Sequence, residues 1–278
     1  MTGEPHLLCS VEDGVGIVTF NRPERNNAFT PEMNQMFDDA MIRLEQDQDV
    51  RAVVITGTGE GFCVGSDMVS LKQSSEKGTS EGFPHPERPF AKYDVFRDAP
   101  PELRSRFVLP KAMSKPVIAA VNGRCAGIGL SMAVSSDVRF ASSDAMFSAV
   151  FARRGLTAET GIAWLLVELI GTGATADMLL SGRRVFAEEA RTMGLVNHVV
   201  PRDELMPRAL EYARDIAVNV SPNSTRVIKR QIWKAQRQTF MEAAILAYLE
   251  AGRSLKTADF REGIAHFIER RAPRFTGQ

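Results

Sequence analysis

Two glycine-containing turns have residue types and spacing that could do chemistry. Gly61-Phe-Cys-Val-Gly-Ser-Asp-Met68 follows one apolar strand pattern, and Asn122-Gly-Arg-Cys-Ala-Gly-Ile-Gly129 follows another and opens a helix pattern. Glycine lets the backbone approach a ligand closely, and a helix start presents unpaired N–H groups. These turns could therefore stabilise negative charge on an oxygen atom. Tight strand-to-helix packing would explain the same glycines, so the turns alone leave both interpretations open.

Other familiar site patterns are weak in this chain. The glycines at 123, 127 and 129 do not have the G-x-G-x-x-G spacing of a dinucleotide-binding turn. The histidines are far apart in sequence and no pair has metal-ligand spacing, so we expect no metal site; they are His6, His85, His198 and His266. The three cysteines, Cys9, Cys63 and Cys125, favour a reducing compartment over a disulfide framework.

The elements that must position these turns alternate between strand and helix. Apolar runs predict strands at about 15–20, 50–56, 116–121 and 137–141, and Thr30-Pro31 opens an amphipathic helix. Such alternation indicates an α/β fold with parallel pairing. From about residue 202 the pattern is helical to the end. We therefore expect an α/β core over 1–201 and a C-terminal helical region over 202–278.

One segment, about 72–101, does not continue the alternation of strand and helix patterns. It is rich in Ser, Gly and Pro, and it ends at Pro100-Pro101. This composition predicts a mobile insertion within the core. Long loops in compact domains are often lids or binding loops, although a solvated surface excursion is as good an interpretation.

Composition limits the classes of partner and location. The chain has 278 residues, 44% hydrophobic and 24% charged, with Lys+Arg equal to Asp+Glu. A nucleic-acid binder would usually have a basic excess, so no nucleic-acid partner is expected. The N-terminal residues do not resemble a secretory signal, and no apolar run approaches a membrane span of ~20 residues. We expect a cytoplasmic location and no membrane partner.

An ordered set of segments resembles the crotonase, or enoyl-CoA hydratase/isomerase, superfamily over nearly the whole chain. The segments are Asn21–Ala28, Phe62–Asp67, Pro116–Gly123, Gly127–Gly129, Asp137, Ala187–Ala190, Gly194–Asn197 and Glu262–Arg271. The resemblance implies a spiral of ββα units followed by C-terminal helices. It also implies a homotrimer or a dimer of trimers.

The resemblance also implies which residues would bind and activate the substrate. An acyl-CoA thioester would place its carbonyl oxygen between the backbone N–H groups of Ser66 and Ile128, which would stabilise an enolate. CoA would enter as part of the substrate, with no tightly bound cofactor. The resemblance implies CoA or substrate contacts from the following residues: Arg25, Asn27, Ala28, Asp67, Met68, Phe267 and Arg270. Phe267 and Arg270 would act from a neighbouring subunit, although Arg270 is equally well explained as a solvated helix charge.

The acid–base residues depart from the hydratase pattern. Two-carboxylate hydratases carry glutamates at the positions of Ser131 and Phe151. The segment around Glu159 resembles that of Δ3,Δ2-enoyl-CoA isomerases, which use a single base. The resemblance therefore favours isomerisation with Glu159 as the base. A plain helix-start acid is the other interpretation of Glu159.

Several alternatives remain open. Hydration, thioester hydrolysis or decarboxylation would use the same enolate chemistry, and a catalytically weak acyl-CoA-binding protein would need no base. Serine peptidases of this general fold place a serine at the position of Ser131, but no histidine pattern suggests its base.

Two expectations concern surfaces. The insertion lies between the two glycine turns in sequence, which predicts that it borders the acyl pocket. The C-terminal region is rich in large aromatic residues, which predicts an oligomer interface; these are Trp233, Phe240, Tyr248, Phe260 and Phe267. Packing on the chain's own core is the alternative for them.

Overall fold

The computed structural model describes residues 4–77, 95–96 and 99–278. Its strands are β1 Leu7–Glu12, β2 Val15–Phe20, β3 Ala52–Gly57, β4 Gly61–Cys63, β5 Val117–Val121, β6 Arg124–Ala126, β7 Val138–Ser142, β8 Met146–Ser148, β9 Arg184–Phe186 and β10 His198–Val200. Its helices are α1 Pro31–Gln46, α2 Met68–Lys77, α3 Leu109–Ala112, α4 Ile128–Ser135, α5 Ile162–Ser181, α6 Ala187–Thr192, α7 Leu205–Asn219, α8 Pro222–Ala235, α9 Phe240–Ser254 and α10 Ala258–Glu269.

The larger sheet has the order β1-β2-β3-β5-β7-β10. Strands β1 and β2 form an antiparallel hairpin, and the other neighbours pair in parallel. The hairpin turn at Asp13-Gly14 has φ of 50° and 77°, as a two-residue turn between twisted strands requires. The continuous apolar run of β3 is buried, as expected of a strand covered on both faces. The predicted α/β class with parallel pairing is confirmed.

A second, smaller sheet has the order β4-β6-β8-β9. Each of β4, β6 and β8 follows within a few residues of a strand of the larger sheet, so consecutive strands divide between the two sheets. This is the ββα repeat that the resemblance implied. Because β4 and β6 pair in parallel, with Cys63 beside Cys125, the loops that leave their carboxyl ends start side by side. Those loops are the two glycine turns.

Helices cover both faces of the larger sheet. The Thr30 hydroxyl accepts from the Met33 N–H at 3.2 Å and caps α1, whose apolar face is buried. On the other face lies α7, which packs Leu205, Ala209 and Ala213 against strands β2, β3 and β5. By packing, therefore, α7 belongs to the α/β core, although its sequence pattern placed it in the C-terminal region after residue 201.

The predicted insertion is only partly described. Residues 72–77 are not loop, because they continue α2 to Lys77. A short 3-10 helix at Pro101–Leu103 marks the other end, and Phe96 is buried. Residues 78–94 and 97–98 lie outside the described part of the chain, and with them most of the segment expected to border the acyl pocket.

The C-terminal aromatic residues divide into two groups. Trp233 is buried in the chain's own core, so its inclusion in the predicted interface was wrong. Phe240, Tyr248 and Phe267 are 87%, 81% and 79% exposed, and Phe260 is 41% exposed. For these four the oligomer interface stays a prediction.

Helix α5 is long and apolar enough, by length and composition, to cross a membrane. Gly171 within it has φ 75° and ψ 166°, which divides it into two shorter helical segments. A span needs ~20 continuous helical residues. Neither segment reaches that length, and the first half packs Ile162, Leu165 and Leu166 into the core.

Candidate functional site

The first glycine turn is held by the segment before α1. The Phe29 N–H donates to the Gly65 carbonyl at 2.8 Å, and the Asp67 N–H donates to the Phe29 carbonyl at 2.9 Å. These two bonds form a parallel bridge between Phe29 and Ser66, and such a bridge uses the groups on either side of Ser66. Among the described residues, the Ser66 N–H has no acceptor.

The second glycine turn lies directly against the first. A Cβ built on Gly127 would be 3.5 Å from the Gly65 Cα, and one built on Gly65 would be 3.9 Å from the Ile128 nitrogen. Gly127 has φ 56° and ψ −125°, which only glycine adopts readily. Ile128 begins α4, so its N–H has no partner one turn earlier. The turns therefore bring two unpaired backbone donors, from Ser66 and Ile128, close together.

Close packing fixes α4 against the strand that carries the first turn. A Cβ on Gly129 would come within 2.1 Å of the Cys63 carbonyl oxygen. Only glycine allows α4 to approach β4 this closely. The spacing of Gly127 and Gly129 therefore has two different causes: the first sets the turn, and the second sets the distance between helix and strand.

Glu159 lies on a segment that is bonded to α4. The Thr160 hydroxyl donates to the Ser131 hydroxyl at 2.8 Å, and Ser131 is three residues after Ile128 on α4. Glu159 is half-buried, and burial raises the pKa of its carboxyl group. It precedes the α5 N-cap, Gly161, and its carboxylate makes no capping bond. Burial is the cause that shifts this pKa, and it acts in the direction opposite to the lowering expected of a plain helix-start acid.

The two positions where hydratases carry glutamate are both buried and non-acidic. Ser131 is completely inaccessible, and Phe151 packs in the core. The described histidines have other neighbours: His198 stacks on Phe140, and His266 bonds the Arg271 carbonyl. Within the described residues, Ser131 has a threonine partner and no base, which removes the support for a serine nucleophile.

Two of the predicted CoA-contact side chains hold the site's loops together. The Asn27 amide accepts from the Arg22 N–H at 2.7 Å and donates to the Thr58 and Gly61 carbonyls at 3.0 and 2.7 Å. Asp67 accepts from Arg22 at 2.6 Å and from the Val69 N–H at 2.9 Å. The Asn27 side chain is inaccessible and engaged by these bonds, so a contact from it would have to come through its backbone. The Asp67 carboxylate is held by Arg22 and is 10% exposed, and its contact with CoA or substrate stays a prediction.

The other predicted contact residues have varied surroundings. Arg25 is exposed, Ala28 is buried, and Met68 is 62% exposed at the first residue of α2. Phe267 and Arg270 are exposed at the end of α10, where Arg270 takes the left-handed C-cap position with φ 54°. Their contribution to a neighbouring subunit's site stays a prediction.

Arg22 is a residue of this site that sequence reasoning missed. Its guanidinium donates to the Ala28 carbonyl at 3.2 Å and to the Asp67 carboxylate at 2.6 Å. This hydrogen bond is the largest of the causes that lower the pKa of Asp67. Arg22 thus joins the loop before α1 to the first glycine turn. The partners are 45 residues apart in sequence, so no local spacing could reveal the pair.

No cluster of three or more His, Cys, Asp or Glu side chains within 4–77, 95–96 and 99–278 could hold a metal ion. The arrangement that the structure does offer is two adjacent backbone donors, one of them at the start of α4, and one half-buried carboxyl group on a segment that is bonded to α4. Such donors can stabilise an oxyanion that develops on a carbonyl oxygen, and a carboxylate beside them can move a proton.

Comparison with known proteins shows which family the chain belongs to. The family profile described as enoyl-CoA hydratase/isomerase matches residues 10–278. The chain is 32% identical to 1,2-epoxyphenylacetyl-CoA isomerase of Escherichia coli (strain K12), over 98% of each chain. It is 33% identical to enoyl-CoA hydratase EchA19 of Mycobacterium tuberculosis, over 98% of this chain and 96% of that one.

A solved structure shows the same fold. The crystal structure of an enoyl-CoA hydratase from Polaromonas sp. JS666 superposes with a TM-score of 0.82 at 28% identity, covering 97% of this chain and 99% of that one. The profile match and the two relatives each extend over nearly the full length. The chain therefore belongs to the enoyl-CoA hydratase/isomerase family and is an acyl-CoA enzyme of the isomerase/lyase type.

Proposed function

We propose that this enzyme shifts a double bond in an acyl-CoA thioester, from a 3-enoyl to a 2-enoyl chain, with Glu159 as its single base. The Glu159 carboxylate takes a proton from C2, and the electron pair moves onto the carbonyl oxygen as a dienolate. The Ser66 and Ile128 N–H groups stabilise that oxygen. The Glu159 carboxylic acid then returns the proton at C4, which leaves the double bond between C2 and C3.

The observation that carries this proposal is the placement of a single carboxyl group. Ser131 and Phe151 stand where two-carboxylate hydratases have glutamates, whereas Glu159 is half-buried on a segment bonded to α4. Hydration needs one group to activate water and one to donate a proton, whereas moving a proton between two carbons of one substrate needs one. A carboxyl whose pKa is raised by burial is also suited to both accept and return a proton.

Hydration is the second candidate, because it is the activity named for the EchA19 relative. The likeness to 1,2-epoxyphenylacetyl-CoA isomerase favours rearrangement without a net gain of water. The epoxyphenylacetyl substrate is that of the relative, and we do not assign it to this chain. For this chain, it supports testing aryl-acetyl as well as straight-chain thioesters.

The test is Glu159→Gln assayed on 3-enoyl-CoA substrates. Removal of a general base typically costs about 10²–10⁴ in rate, so kcat should fall by that factor while thioester binding persists. Exchange of the C2 hydrogen of a bound saturated acyl-CoA for deuterium should fall in parallel. Oxygen-18 from solvent water should not appear in the product. Its incorporation would select hydration.

Glu168→Gln is the matched control. Glu168 lies on α5, and burial raises the pKa of its carboxyl group as well. The positive charges of Arg237 and Lys111 lower the same pKa by a smaller amount. We expect its neutralisation to leave C2 exchange near wild type. If Glu159→Gln behaves like this control, the base lies elsewhere and the proposed function loses its support.

A further inference from the structure

We infer that Ser131 and Thr160 are positioning residues that hold Glu159 beside the second glycine turn through their side-chain hydrogen bond. This inference rests on the proposed function, because the pair acts on the reaction only through Glu159. Neither hydroxyl is assigned contact with substrate. Ser131 lies on α4, the helix that supplies an oxyanion donor, and Thr160 is next to the proposed base in sequence. Their bond therefore connects the donor helix to the base.

The α4 end of this contact is rigid. Ser131 is inaccessible to solvent, and every residue of α4 is buried. Residues three apart lie on the same face of a helix, so Ser131 is on the same side of α4 as Ile128. A buried hydroxyl without a partner costs about 1–3 kcal/mol. The Thr160 hydroxyl, 2.8 Å away, is the partner that Ser131 has among the described residues.

The Glu159 end of the contact would not hold this shape by backbone preference alone. Thr160 is β-branched and has φ 57°, a left-handed conformation that costs roughly 1–2 kcal/mol for a non-glycine residue. Gly161, next in sequence, also has positive φ at 70°. A threonine keeps such a strained conformation only where interactions with its surroundings offset the strain. The bond to Ser131 is the side-chain interaction that offsets this strain.

Fixing Thr160 fixes Glu159. The two are adjacent in the chain, and the Glu159 carbonyl also accepts from the Ile162 N–H at 3.0 Å at the start of α5. The Glu159 carboxylate itself makes no hydrogen bond or ion pair with any described side chain. Its position therefore depends on the backbone that carries it. The Ser131–Thr160 bond sets the place of that backbone relative to the Ile128 N–H.

The experiment compares three single variants by C2 hydrogen exchange and steady-state kinetics. Thr160→Val keeps the β-branched shape but removes the hydroxyl, Thr160→Ser keeps the hydroxyl, and Ser131→Ala removes the acceptor. Misplacing a catalytic group by about 1 Å can cost up to ~10²-fold, so kcat should fall by about 10–10² in the valine and alanine variants. Thr160→Ser should retain near wild-type kcat, and KM should change little in all three.

The pH dependence separates positioning from general stability. Burial raises the Glu159 pKa, and kcat/KM should fall as pH drops through that value because the base must be ionised. Loss of the Ser131–Thr160 bond should let the segment become better hydrated. The acid limb of the profile should then move to lower pH in Thr160→Val. An unmoved limb together with unchanged kcat would overturn the inference.

Thr175→Val is the matched control for the chemical change itself. Thr175 is a buried threonine on α5, whereas Thr160 is partly buried, and the Thr175 hydroxyl has no partner within the described part of the chain. Removing it should leave exchange, KM and the pH profile unchanged. If Thr175→Val lowers kcat as much as Thr160→Val does, the effect is a general consequence of altering this region, and the positioning role fails.

A double-mutant cycle separates this inference from the proposed function. If Thr160 acts through Glu159, Thr160→Val should cause no further loss of exchange in a Glu159→Gln background. Losses that multiply would show that Thr160 acts independently, and would overturn the inference. Glu159→Gln with wild-type exchange would overturn the proposed function itself. Full loss in Glu159→Gln with normal exchange in Thr160→Val would overturn the positioning role alone.

Discussion

At Gly127 the functional feature is a backbone conformation. Its φ of 56° with ψ of −125° turns the chain so that α4 starts with an unpaired Ile128 N–H beside the Gly65 turn. A Cβ there would meet ordinary van der Waals distances, because its nearest neighbour would be 3.5 Å away. The energetic cost of a side chain at this position must therefore come from the φ and ψ angles of residue 127. A change in these angles to relieve the strain would change the direction of the Ile128 N–H.

Gly127→Ala should accordingly lower kcat by about 10²–10³, the usual cost of losing one oxyanion donor. Gly155→Ala is the matched control, since Gly155 also has positive φ, at 69°, but among the described residues no atom beyond its chain neighbours lies within 4 Å of its Cβ position. Both variants should lose stability, whereas only Gly127→Ala should lose turnover. Kinetics with thermal unfolding of both variants test this. Equal kcat in the two would rule out the assignment of this donor.

Residue types in the sequence indicated the glycine turns, and a family resemblance proposed Glu159, but neither predicted the surroundings of each side chain. Asn27 and Asp67 look like ligand contacts in sequence, yet each is engaged by Arg22 across a loop. The competition between burial and a helix start at Glu159 depends on how much water reaches the carboxyl group. That quantity is a property of packing between α4 and the segment before α5, and no local pattern contains it.

At the scale of elements, α5 connects the proposed base to the C-terminal helices. Trp164, in the first turn of α5, and Trp233, near the end of α8, enclose the Arg237 guanidinium. Its carbon lies 4.1 Å and 3.3 Å from the two ring centroids. A planar guanidinium stacks on indole rings in a way that a lysine ammonium cannot. This stack ties the start of α5 to α8.

Arg237→Lys should therefore lower the free energy of unfolding by about 1–2 kcal/mol. The chain has two tryptophans, and both are in the stack, so tryptophan emission reports on it directly. The spectrum should shift in this variant. Arg226→Lys on α8, where the side chain donates to the nearby Asn223, should leave both quantities unchanged. An unaltered emission spectrum in Arg237→Lys would contradict the role of the stack.

Most of the long strands were predictable and the three-residue strands were not, although β1, with six residues, was also missed. The runs at β2, β3, β5 and β7 and the capped helix α1 each extend over five residues or more, enough to show a period. Strands β4, β6, β8 and β9 have three residues each, and their pairing joins segments far apart in sequence. Local residue patterns therefore could not predict the strands of the second sheet. Yet it is this sheet that places the two glycine turns side by side.

At the scale of the whole molecule, the described part of the chain leaves a large apolar surface uncovered on its last two helices. Phe240, Tyr248, Phe267 and Ile268 are all more than 70% exposed. Apolar surface of this size usually marks an interface. The predicted trimer, or dimer of trimers, would cover it, and it would also bring Phe267 and Arg270 to a neighbouring subunit.

Mixing two variant subunits tests whether Arg270 acts across an interface. Arg270→Asn suits the left-handed φ of 54°, because asparagine tolerates that conformation, and it removes the charge. Alone, it should raise KM for acyl-CoA, while Glu159→Gln alone should lower kcat by about 10²–10⁴. If Arg270 serves the neighbouring subunit, oligomers reassembled from both variants contain some sites with an intact Glu159 from one chain and an intact Arg270 from the other. Those sites should show the wild-type KM. If Arg270 serves its own subunit, every active site in the mixture keeps the raised KM. Native mass spectrometry of the mixture confirms that the subunits have exchanged.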